Sequence, residues 1–185
     1  MSDKFPVPYL PSLGWYRAFT AWRLGLSSEF PKLPRHFTRA TVTAPFGDRV
    51  LSVAIEGGRK QISARRYFDL KLSEHGGWRH THWSTIASAY GSTPYFHLYE
   101  MEFERIFNRR YDYLSSLCFE LHRAIEECAS LRETFSWIQR HPEAEIKNPG
   151  VKNPNEALSI LHLLFQEGPN LIFSLLPPHS LTSVE

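Results

Sequence analysis

Cysteine is almost absent. Only Cys118 and Cys128 occur among 185 residues, and both fall in one helical-looking stretch, too far apart along it for the short Cα separation of a disulfide. Two reduced thiols point to a cytosolic setting. Long apolar runs are missing too, since nothing approaches the roughly twenty residues of a spanning helix. Prolines interrupt MSDKFPVPYLPSLGW where a secretory leader needs an unbroken apolar region, so neither export nor a membrane partner is expected. Charge of one sign is also scarce: the formal net charge is +2, and Arg65-Arg66 and Arg109-Arg110 are too short to form a nucleic-acid footprint. No Gly-rich phosphate loop, dinucleotide fingerprint, Gly-x-Ser-x-Gly elbow, CxxC pair or HExxH helix is present, which removes most motif-defined enzyme classes and implies no cofactor.

What is present is an ordinary globular mixture, 42% hydrophobic and 22% charged, enough for one domain over residues 1–185 to bury a core without staples. KFPVPYL reads as a short extended piece, and LGWYRAFTAW as an amphipathic helix with Leu13, Tyr16, Phe19 and Trp22 on its stripe. ATVTA, PFGD and VLSVAIE read as a β-hairpin with Gly47 in its connection and Leu51, Val53 and Ile55 on one face. YFDLKLS alternates Phe68, Leu70 and Leu72 inward, so four to six short strands are expected in the first half. From Trp78 the period becomes helical through Trp83, Ile86 and Tyr90, with Gly91 placed to end the helix in a left-handed conformation. Phe103, Ile106 and Phe107 mark the next helix. YDYLSSLCFELHRAIEEC carries an apolar stripe throughout, on which Cys118 reads as packing rather than nucleophile. RHPEAEIKNPGVKNPNEA is a long polar connection, and Asn153, Pro154 and Glu156 predict a helix start within it. That helix should stop at Gly168, with a short one after Pro169. The fold class expected is α/β or α+β, with a short mixed sheet from the N-terminal half packed against C-terminal helices.

The chemistry-bearing side chains are few. In WRHTHW, His80 and His82 lie about 200° apart around a helix that begins near Trp78, so they cannot chelate one ion, and no metal is expected. His82 borders the apolar stripe, where an imidazole serves either as a general base beside a cleft or as a satisfied core group. Arg35, His36 and Arg39 precede the hairpin, and an arginine fixed at a strand start either offers its fork of donors to a carboxylate or phosphate or joins a surface ion pair.

Four blocks in order resemble the WbqC-like family. They are PYLPSLGWYRAF, then EFPKLPRHFTRATV with GDRVLSVAI, then WRHTHWSTIASAYGSTPYFHLY, and finally LSILHLLFQEGPNLIFSLL, which is similar to the C-terminal segment of shorter members. The resemblance implies a bacterial cytoplasmic protein of surface-polysaccharide or O-antigen biosynthesis, a transferase moving an acyl or aminoacyl group onto an amino sugar or sugar nucleotide. Carried over residue by residue, it makes His82 and Arg39 catalytic and Tyr9 and Tyr90 substrate-binding. Arg39 would hold an anionic group, His82 would deprotonate the attacking amine, and the two tyrosines would line the sugar pocket. The chain departs from the family pattern at Val7, where a glutamine is usual, and at Phe37 and Thr38, which stand for the arginine and asparagine before Arg39. Phe37 cannot donate to an anion, and so a non-catalytic module binding a sugar nucleotide or a protein is the alternative.

Overall fold

The alternation in ATVTA and VLSVAIE becomes one antiparallel hairpin in the computed structural model, which describes residues 5–44, 47–141 and 155–176. Strand β1 (Arg39–Ala44) pairs with β2 (Gly47–Ser52), setting Arg39 opposite Ser52 and Ala44 opposite Gly47. Gly47 therefore sits at the first paired position, and its φ of 104° is one that side chains rarely adopt. Leu51, Val53 and Ile55 are all buried, as strand alternation demands.

The expected fold class holds, with the sheet in the N-terminal half and helices packed over it, but the sheet is smaller than expected. Among the described residues it has two strands, not four to six. The described part of that first stretch, FPVPYL, joins no sheet, because its prolines supply no N–H to a ladder. It is tied down singly instead, by Tyr9 N–H donating to Phe37 O at 2.8 Å and by the Tyr67 hydroxyl donating to Val7 O at 2.6 Å. The second of these bonds explains why YFDLKLS is not a strand. It draws Tyr67 inward within a 3-10 turn (Tyr67–Asp69) and leaves Phe68 exposed, reversing the expected phase there, while Leu70 and Leu72 are buried as expected.

Helix α1 (Leu13–Arg23) starts where the Ser12 hydroxyl accepts from Trp15 N–H at 3.3 Å. It buries Leu13, Tyr16 and Phe19, with Trp22 packed at the core margin. A short α2 (Arg59–Ala64) follows the hairpin. Helix α3 (Trp78–Tyr90) begins directly after Gly76 and Gly77, both at left-handed φ. Gly91, however, has φ −56°, a right-handed value, and so is not the left-handed stop its position suggested. Helix α4 (Phe96–Asn108) buries Phe103, Ile106 and Phe107. Helix α5 (Leu114–Cys128) runs through the centre and buries Leu114, Leu117, Cys118, Leu121, Ala124 and Ile125.

Helix α6 (Leu131–Arg140) follows α5 across Ser130. The polar connection, including Asn153 and Pro154, lies outside the described residues. Glu156 starts no helix, since α7 (Leu161–Glu167) begins five residues later, where the Ser159 hydroxyl accepts from Leu161 N–H. Glu156 is held instead by Arg17 at 2.9 Å, and its carbonyl takes Gly14 N–H at 3.1 Å. Gly168, at φ 56°, ends α7, and a 3-10 turn through Pro169 leads into α8 (Leu171–Leu175). No helix among the described residues is long and apolar enough to cross a membrane. Both cysteines are free thiols.

Candidate functional site

Helical phase separates the two histidines of WRHTHW. His80 is exposed, whereas His82 faces inward one turn from Trp78, whose ring centre lies 5.1 Å away, and one turn from the buried Ile86. His82 meets Tyr9 there, with the phenol oxygen 2.8 Å from Nδ1. Both side chains are out of solvent, and the consequences for their protons are opposite. Burial drives the Tyr9 hydroxyl well above its ordinary pKa, so it stays protonated. Burial also pulls His82 down from 6.5 to about 4, so at neutral pH the ring is uncharged. Tyr9 then donates to Nδ1, and the ring hydrogen resides on Nε2.

Tyr9 also forms part of a cavity of about 300 Å³ between the N-terminal segment and the hairpin, with Leu10, His36, Arg39, Val50 and Ala157 among its walls. The backbone bends into this cavity at Leu10, whose φ of 39° lies in the left-handed region. Such a conformation costs on the order of 1–3 kcal/mol and persists only where surrounding packing holds it. Arg39 opens β1 at the cavity's edge, is exposed, and forms no ion pair among the described residues, so its fork of donors is open to a ligand. Arg35 is exposed and does not reach the cavity, whereas His36 does.

The four residues carried over from the family pattern are thus only partly gathered. Arg39 and Tyr9 share one cavity, and His82 stands behind Tyr9 without lining it. Tyr90 lies elsewhere, fully enclosed, with its hydroxyl accepting Thr43 N–H at 3.3 Å and its pKa pushed up to about 12 by burial. That bond ties α3 to β1. Phe37 packs edge-on against Tyr67, with ring centres 5.8 Å apart, and Thr38 is buried. These two of the three departures from the pattern therefore pack beside the cavity rather than lining it. Cys118 is wholly buried, and its thiol is pushed up to about 12 by burial, as a packing residue's would be. Among the described residues no three His, Cys, Asp or Glu side chains are grouped to hold a metal ion.

A second buried tyrosine–histidine pair escapes motif reading. The Tyr16 hydroxyl lies 2.6 Å from His122 Nδ1, and His122 Nε2 faces Glu126 Oε1 at 3.7 Å. The signal for it lies in helical phase: His122 is one turn from both Cys118 and Ile125 on the apolar side of α5, and Glu126 follows one turn later.

Comparison with known proteins gives one family. The model for the WbqC-like protein family matches residues 34–151, more than half of the chain. That range contains Arg39, His82 and Tyr90, while Tyr9 precedes it. No curated protein and no solved structure matches the chain.

Proposed function

We propose, for a chain that belongs to the WbqC-like protein family, that the cavity of Tyr9 and Arg39 transfers an acyl or aminoacyl group to the amine of an amino sugar in surface-polysaccharide biosynthesis. The observation that carries this reading is the 2.8 Å contact through which Tyr9 joins the Arg39 cavity to His82. Arg39 holds an anionic group of donor or acceptor with a charge-assisted fork. The amine attacks the activated carbonyl, forming the new C–N bond as the C–leaving-group bond breaks. The amine proton passes to the Tyr9 oxygen while the phenol proton moves to His82 Nδ1, so no free phenolate accumulates. The aliphatic hydroxyls lining the cavity, Ser12 and Thr41, are paired with no base among the described residues, which favours direct attack over a covalent intermediate.

The burial of His82 favours a second reading, in which the same cavity only binds a sugar nucleotide or a protein segment and the Tyr9–His82 pair is its structural floor. The two readings part on turnover. Under the first, Arg39→Ala and Tyr9→Phe proteins that remain folded leave the surface polysaccharide of the producing strain without its amide decoration, as read by NMR of the purified polymer. Full decoration in both strains refutes transfer. A raised melting temperature with sugar nucleotides, abolished by Arg39→Ala and unaccompanied by any amide product, selects the binding module.

A further inference from the structure

His122, held from behind by Tyr16, forms the floor of a second cavity, of about 210 Å³, which shares no lining residue with the first. Its walls are rings: Phe5 and Phe30 stack with centres 4.6 Å apart, and Trp22 meets Phe30 edge-on at 4.9 Å. Phe19 completes the enclosure, 5.0 Å from the His122 ring. Between these apolar walls stand two polar groups buried to 98% and 97%, His122 and Glu126. Burying a histidine and a carboxylate under a cavity is costly unless each finds a partner, and each is only half provided for.

The proton positions follow from the contacts. The Tyr16 hydroxyl, held protonated by its burial, donates to Nδ1 at 2.6 Å, which places the ring hydrogen on Nε2. That N–H is 3.7 Å from Glu126 Oε1, beyond hydrogen-bonding reach. Glu126 gives its other oxygen to Arg132 Nε at 3.0 Å, so Oε1 retains acceptor capacity. The floor therefore presents one donor and one acceptor 3.7 Å apart. Two arginines also line the cavity: Arg132, already paired with Glu126, and Arg23, whose guanidinium has no side-chain partner among the described residues.

We propose that this cavity binds a free α-amino acid with an apolar side chain. The ammonium donates to Glu126 Oε1, the carboxylate receives the His122 Nε2–H and the Arg23 guanidinium, and the side chain lies among the four rings. A ligand offering only donors or only acceptors satisfies half of the floor, whereas the ammonium and carboxylate on adjacent carbons of an amino acid satisfy both halves. The cavity is also smaller than the roughly 300–1,000 Å³ of drug-sized sites, which excludes a nucleotide or a sugar nucleotide. This inference does not rest on the transfer reading, because the two cavities are separate.

Trp22 lies in the wall, so its fluorescence reports occupancy, and calorimetry on the intact protein gives the affinity. The probes are L-phenylalanine, 3-phenylpropionate, which lacks the ammonium, and 2-phenylethylamine, which lacks the carboxylate. We expect saturable binding of phenylalanine with Kd near or below ~1 mM and at least tenfold weaker binding of each analogue, since each loses a charge-assisted hydrogen bond. Arg23→Gln, a change at the partly exposed rim, should narrow the gap between phenylalanine and phenylethylamine without lowering the melting temperature. Glu126→Gln should narrow the gap to phenylpropionate, and if that protein does not fold, the analogue series on the unaltered protein decides. Equal affinities for all three probes, or no saturation up to ~10 mM, overturns the proposal. Arg39→Ala should leave phenylalanine binding unchanged, which keeps this outcome distinct from that of the transfer reading.

Discussion

The protonation of His82 can be tested without knowing any substrate. Burial lowers its pKa from 6.5 to about 4, so between those values the unfolded chain carries a proton on this residue that the native state refuses. Where the unfolded state binds more protons, stability rises with pH. The contribution of His82 is therefore fully present above pH 6.5 and is lost as pH falls toward about 4. At ~1.36 kcal/mol per pH unit the whole effect is about 3 kcal/mol, and roughly 2 kcal/mol of it is lost between about pH 7 and pH 4.5. His122 and His162 are also held below their ordinary values by burial and add losses of the same sign, so the assay must be differential. Urea unfolding of the wild type and of His82→Gln, whose amide oxygen can still accept from Tyr9, isolates the term. The variant should lose about 2 kcal/mol less on acidification over that interval. NMR titration gives the independent reading: the His82 ring signals should stay in the neutral form to below about pH 5. An imidazole that titrates near its ordinary value, or a variant as acid-sensitive as the wild type, would sink both the buried placement and the direction of Tyr9's hydrogen bond.

Three other outcomes follow from single contacts. Tyr9→Phe leaves His82 Nδ1 buried without its donor and should cost about 1–3 kcal/mol in chemical unfolding; an unchanged midpoint contradicts the contact. Gly47→Ala forces a side chain onto φ 104° and should destabilise by more than about 1 kcal/mol, where a neutral result means that the hairpin turns differently. Leu121→Ala, in the buried heart of α5, should cost about 2–5 kcal/mol, while Leu98→Ala, at a side chain 72% exposed on α4, should stay within about 0.5 kcal/mol.

The helices were legible where one apolar face decides them. The stripe of α5 from Leu114 to Ile125 is buried almost residue for residue, because a period of 3.6 admits only one inward face. The strands were less so, because alternation marks a buried side of extended chain but not a hydrogen-bonded neighbour. YFDLKLS alternates, yet Tyr67 is turned inward by a bond to Val7 sixty residues away, a contact that no local pattern contains. The same holds for Glu156, whose spacing suits a helix start but whose carboxylate is claimed by Arg17 on α1. At the candidate site, phase correctly divided His80 from His82. What phase could not supply was the partner across space, and a buried histidine takes its chemistry from that partner.

Those partners share an origin that bears on function. The phenols of Tyr9 and Tyr16, seven positions apart in PYLPSLGWY, each hold the Nδ1 of a histidine on a later helix, one on α3 and one on α5. The segment that carries Tyr9 also separates the two cavities. Phe5 and Val7 face the aromatic one, and Pro8, Tyr9 and Leu10 face the one with Arg39. The chain passes from one cavity to the other between Val7 and Pro8, so a single strip of backbone, too proline-rich to enter a sheet, walls each cavity in turn. Its position is fixed by two hydrogen bonds, from Tyr67 to Val7 and from Tyr9 to Phe37, and by the strained turn at Leu10. Phe37 and Thr38, which depart from the family pattern, stand at one of those anchors. By the resemblance, Phe37 stands where an arginine is usual; in this chain its ring gives an apolar surface to Tyr67, the residue that holds Val7 in place. On the proposed reading, anion binding in the first cavity then falls to Arg39, while the Phe37 ring packs against the tyrosine that anchors the wall.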